Sequence, residues 1–111
     1  MTTEAFNRIL DEQIDICKAV LCKKAEEYAT EDRLHNFRIA AALQGITPEQ
    51  ALAGMMAKHT VCVYDMVQSR KQYPLEMWDE KCTDSINYIL LLRALVEEQH
   101  KGGDSDDQQR T

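Results

Sequence analysis

Apolar residues recur along the first part of the chain at three- and four-residue steps: Phe6, Leu10, Ile14, Cys17, Leu21, Ala25 and Tyr28. Ile9, Ile16 and Val20 widen that stripe, while Asp11, Asp15, Lys18 and Glu26 fall on another face. The period is helical. It predicts a long amphipathic helix from about Thr3 to Tyr28, capped by Thr2 or Thr3, with one wide buried face. Thr30, Glu31 and Asp32 then read as a break and a restart, because short polar side chains cap helices and acids suit a first turn. Leu34, Phe37, Ile39 and the run from Ala40 to Leu43 predict a short helix that Gly45 ends as a C-cap.

The stretch "GITPEQ" is the clearest punctuation in the chain. Thr47 reads as an N-cap, Pro48 as the first helical residue and Gln50 as the closing member of a capping box, with Ile46 as a staple. The helix that follows carries Leu52, Met55, His59, Cys62 and Met66 on one stripe, widened by Met56, Val63 and Val67. It is expected to end between Arg70 and Gln72, before the break at Tyr73-Pro74. A last helix starts between Leu75 and Asp79 and runs to about Gln99. From Ile86 to Val96 only Asn87 and Arg93 interrupt its apolar character, and a helix apolar all round must be covered all round. The other helices of one chain cover too little of it, so a second copy is expected. The pattern therefore predicts an all-α fold with three long helices plus one short helix, forming an oligomeric bundle. Residues 1–100 make its single domain, and the polar, acidic residues 101–111 are expected to be a disordered tail.

Composition agrees with this reading. The chain has 111 residues, 4 glycines and 2 prolines, enough for one domain and poor in helix breakers. Its net charge of −6, with no basic cluster beyond Lys23-Lys24 and Arg70-Lys71, counts against nucleic-acid binding, which needs a basic face. Residues 1–10 lack a targeting pattern, and Ile89 to Leu92 is far shorter than the roughly 20 apolar residues of a membrane span. A protein of the cytoplasm, in a bacterial host cell, is expected. The cysteines Cys17, Cys22, Cys62 and Cys82 form no C-x-x-C pair and read as reduced thiols.

The candidate chemistry begins with "DEKCTDSINYILLL". Glu80, Asp84 and Asn87 share one helical stripe, and Asp84 lies well inside the apolar region. A carboxylate there needs a partner. One solution is a cation, with Lys58 first and Arg38 and Arg33 behind it, while Asn87 bonds a loop or a backbone carbonyl. The other is a metal or phosphate site. Glu80 and Asp84 would then hold Mg²⁺ with further acids from Glu26, Glu27, Asp32 or Asp65, and Lys58 would face a nucleotide's phosphates. "RLHNF" gathers Arg33, His35, Asn36 and Arg38, either as contacts to a nucleotide or as a hydrogen-bonded junction between helices. His59 reads as a satisfied core or interface residue, and Tyr73 and Trp78 as anchors of the turn at Pro74.

An E-x-x-D-type helix running into "NYILLL" resembles the third core helix of the MazG-like, all-α nucleotide pyrophosphohydrolase superfamily. "KAEEYATEDRLHNFRIAAALQGITPEQALAGMMAKH" with "DEKCTDSINYILLLRAL" is also similar to small related proteins frequent in bacteriophages and prophages, over residues 18 to 97. The resemblance implies Mg²⁺-dependent cleavage of nucleoside triphosphates to monophosphate and pyrophosphate, in a dimer or tetramer. Asp84 matches the final acid of that pattern. Lys81 stands where the preceding glutamate is expected, with Glu80 beside it, and the E-x-x-E of the preceding helix is replaced by a region holding Lys58 and Asp65. The expected site has Lys58 and Asp84 as catalytic residues and Arg33, Asn36, Arg38, Lys58 and Asn87 on the substrate. Glu27, Glu80 and Asp84 would hold Mg²⁺. Two other readings stand beside the hydrolase. One is a non-catalytic relative that binds or sequesters a nucleotide in a basic pocket. The other is an oligomeric phage protein acting on a host protein, with Asp84 paired to Lys58 and no cavity beside it.

Overall fold

The structure, a computed structural model, describes residues 1–27 and 32–102, apart from the side chains of Ala25 and Glu27. The described residues are helical throughout their regular elements: α1 (Thr3–Glu27), α2 (His35–Gln44), α3 (Pro48–Gln68) and α4 (Leu75–Gly102). This is the all-α architecture expected, with three long helices and a short one. Tyr28, Thr30, Glu31 and residues 103–111, the bulk of the expected tail, lie outside the described residues.

Local chemistry sets most of the boundaries. Asp32 Oδ1 accepts from the Leu34 N–H at 3.0 Å in the turn before α2, but Leu34 is the N-cap and the first turn of α2 holds no acid, so the acid expected at the helix start lies ahead of it. Gly45 ends it at φ 69°, a left-handed conformation that costs glycine little, and the Ile46 N–H donates back to the Ala41 carbonyl at 3.0 Å. At α3 the capping box forms as the sequence implies: Thr47 Oγ1 accepts from the Gln50 N–H at 3.1 Å, and Gln50 Oε1 accepts from the Thr47 N–H at 2.9 Å. Thr47→Ala is expected to cost about 1 kcal/mol and to lower the melting temperature by roughly 5 °C, read by circular dichroism. Two boundaries differ from expectation. α3 stops at Gln68 rather than at Arg70 to Gln72. Ser69 turns extended there, and its hydroxyl accepts from the Lys71 N–H at 3.0 Å in place of the helical ladder. α4 continues to Gly102, with Lys101 paired to Glu97 at 3.1 Å across its last turn.

The helices are arranged in the spatial order α1, α4, α3, α2, each packing on its neighbours in that row. Gln13 bonds Thr83, and Asn87 bonds the Cys17 carbonyl. Both partners advance together, so α1 and α4 run parallel. Glu49 meets Gln99 while His59 meets Asp84, so α3 and α4 run antiparallel. Leu34, Phe37, Leu52 and Leu95 form the buried core between α2, α3 and α4, with Met55, Tyr88, Leu91 and Leu92 packed against it. The expected buried face of α1 is only partly covered. Cys17 is buried, but Phe6 is 55% and Leu10 45% exposed, because among the described helices α1 packs on α4 alone.

Candidate functional site

A cleft of about 320 Å³ opens where the C-terminal half of α1, the start of α2, α3 and α4 converge. Its apolar walls are Val20, Leu21, Phe37, Met55, Tyr88 and Leu91. Its polar residues are Lys24, Arg33, Asn36, Lys58, His59, Asp84 and Asn87. Helical spacing explains the convergence: Asp84, Asn87, Tyr88 and Leu91 are successive positions of one α4 stripe, and Met55, Lys58 and His59 are one turn of α3. Phe37 and Tyr88 belong to both core and cleft, so the core sets the cleft's shape.

Five of the expected residues therefore meet: Arg33, Asn36, Lys58, Asp84 and Asn87. Asp84 is half-buried and does not pair with Lys58. His59 Nδ1 lies 3.7 Å from Asp84 Oδ2, an ion pair when the imidazole is protonated and too long for a hydrogen bond. His59 also stacks on Tyr88, with ring centroids 4.9 Å apart. A neighbouring position on α3 thus takes the place expected for Lys58, which stays exposed on the rim. Asn87 bonds a backbone carbonyl, one of the two roles weighed for it.

Three expected residues are not in the cleft's described lining. Glu80 is 65% exposed and pairs with Lys81 at 3.6 Å. The Glu27 side chain lies outside the described residues. Arg38 joins α2 to α4 by pairing with both Asp32 and Glu98, as the junction reading of "RLHNF" has it. Its bond holds the Asp32 carboxyl below the usual carboxylate range, helped by the Leu34 N–H. Stability from that pair is present above the carboxyl's ordinary value of 3.8 and is lost as pH falls through the lower folded value. Arg38→Ala is expected to raise the Asp32 titration toward 3.8 without changing ligand binding, as followed by carboxyl NMR and calorimetry.

Sequence reasoning passed over Lys24, Gln13 and Thr83 and assigned His59 to packing. Lys24 follows Val20 and Leu21 by four and three residues, the signal that places it on their stripe. Gln13 Nε2 donates to Thr83 Oγ1 at 2.7 Å, and its four-residue offset to Cys17 mirrors that of Thr83 to Asn87. This polar seam explains how α4 carries Thr83 and Asn87 in its buried face. Tyr73 and Trp78 pack edge to face at 6.2 Å and anchor the turn at Pro74.

Among the described residues, no three His, Cys, Asp or Glu side chains gather as a metal ion requires. The cleft's described lining offers one carboxylate, one imidazole and the amide oxygens of Asn36 and Asn87, set among three cations, and a single anionic ligand amid that positive charge does not fit the oxygen shell of Mg²⁺. The four cysteines are free, and burial together with the Asp79 charge pushes the Cys82 thiol up. No helix among the described residues is long and apolar enough to cross a membrane. Comparison of the chain with protein-family models, curated proteins and solved structures gives no match.

Proposed function

We propose that the cleft binds a nucleotide, taking its phosphates at Lys24, Arg33 and Lys58 and its base between the apolar walls. The observation that carries this reading is the charge of the cleft. Its described lining holds three cations and one carboxylate, in a chain whose net charge is −6. Cationic side chains recognise phosphate through charge-assisted hydrogen bonds. Phe37 and Tyr88 supply aromatic surface to a flat base, and the volume suits a small ligand. Binding or sequestering a nucleotide needs no more than this.

Calorimetric titration with nucleoside mono-, di- and triphosphates tests the reading, with and without Mg²⁺ and with pyrophosphate release followed in parallel. Saturable binding that weakens with added salt is the expected result, and its absence overturns the proposal. Turnover that requires Mg²⁺ and is lost in Asp84→Asn and Glu27→Gln would move the reading to the pyrophosphohydrolase.

A second copy of this chain is the partner we infer for the open face of α1. Phe6, Ile9, Leu10 and Ile14 are exposed at three- and four-residue spacing, the pattern of a helix that packs on another helix. Ile89 and Leu90 on α4 are exposed as well. A twofold pairing lets one such stripe cover its own copy. Light scattering is expected to give a dimer or tetramer, which Leu10→Asp shifts toward monomer with helicity retained. A monomeric wild-type chain would refute it.

A further inference from the structure

Asn87 holds an acceptor that no described residue satisfies. It is 5% exposed, and its Nδ2 donates to the Cys17 carbonyl oxygen at 3.4 Å. That bond fixes the orientation of the amide, because only its NH₂ end can donate to a carbonyl. Oδ1 is then left buried with no hydrogen-bond partner among the described residues. Such groups are rare in folded proteins, since an unpaired buried acceptor has lost water and gained nothing. Ser85 Oγ is in the same condition but does not line the cleft, whereas Asn87 does.

Resting on the nucleotide reading, we propose that Asn87 Oδ1 selects a ligand whose base carries an amino group, accepting a hydrogen bond from it. Asp84, one turn earlier on α4, lines the same cleft and, when ionised, also only accepts. The inner end of the ligand is therefore matched when it donates. The surrounding walls are apolar and aromatic, which suits a flat heterocycle with one amino group better than a sugar with several hydroxyls. Protein atoms cover Oδ1, so the donor reaches it after a neighbouring side chain turns.

Three pairs of probes test this by calorimetry. They are AMP with purine riboside 5′-monophosphate, CMP with 2-pyrimidinone riboside 5′-monophosphate, and GMP with IMP. Each pair shares its phosphate and sugar and differs in the amino group. In at least one pair the amino-bearing member is expected to bind about tenfold tighter, and Asn87→Leu to level that pair. Melting followed by circular dichroism checks that the variant folds, and the wild-type comparison stands without it. Equal affinity within every pair, with all six probes still weakened by Lys58→Ala, overturns the selection and leaves the phosphate site intact. Binding of none of the six overturns both.

Discussion

Lys58→Ala is expected to weaken nucleotide binding between about tenfold and a hundredfold. A hydrogen bond to a charged group contributes about 1.5–3 kcal/mol, and every 1.4 kcal/mol is tenfold. Lys58 sits exposed on the rim of the cleft, and no carboxylate among the described residues lies within ion-pair distance of it. Its charge is thus available to an incoming phosphate rather than spent on the fold. The side chain supports no part of the core, so the variant should melt where the wild type does. Its affinity should also fall less steeply with salt, because one of the screened attractions has gone. Calorimetry at two ionic strengths measures both effects. Unchanged affinity would mean that phosphates do not meet α3, and the cationic cleft would need another ligand.

The parts of this site that the sequence revealed are those written in local chemistry. Thr47, Pro48 and Gln50 mark the start of α3 because a capping box is complete within four residues. Asp84 and Asn87 stood out because polar groups inside an apolar stripe demand partners, and both line the cleft. What stayed hidden depends on how helices are set against one another. Lys58 and His59 are adjacent in sequence but about 100° apart around the helix, so only the packing of α3 on α4 decides which meets Asp84. Glu80 precedes Asp84 by a single turn, yet the drift of 40° over four residues and its place nearer the end of α4 leave it in solvent. Arg33 and Arg38 could not be separated until α4 brought Glu98 to one of them. The stripe on α1 shows a face that needs covering and carries no information about what covers it. Gln13 and Thr83 looked unremarkable singly, because the seam between them joins residues 70 apart in the chain.

Leu95→Ala is expected to destabilise the chain by about 3–5 kcal/mol, the range of cavity-forming leucine truncations in well-packed cores. Leu95 has 0% of its surface exposed and packs in one cluster with Leu34, Phe37 and Leu52, where α2, α3 and α4 meet. Its buried partners come from two other helices, α2 with its N-cap residue and α3, so the site cannot collapse without moving a helix. At about 4–8 °C for each kcal/mol in a domain near this size, the melting temperature should fall by more than 10 °C. A surface truncation such as Val67→Ala, where the side chain is 62% exposed, should change it little. The effect should also reach the ligand. Phe37 lines the cleft on one side and the Leu95 cluster on the other, so a cavity beneath it loosens the wall against which a base would pack. Chemical denaturation gives the stability change, and calorimetry well below the midpoint gives the affinity of the folded fraction. A loss of stability under 1 kcal/mol would mean that these helices do not enclose a packed core, and the cleft built on that core would fall with it.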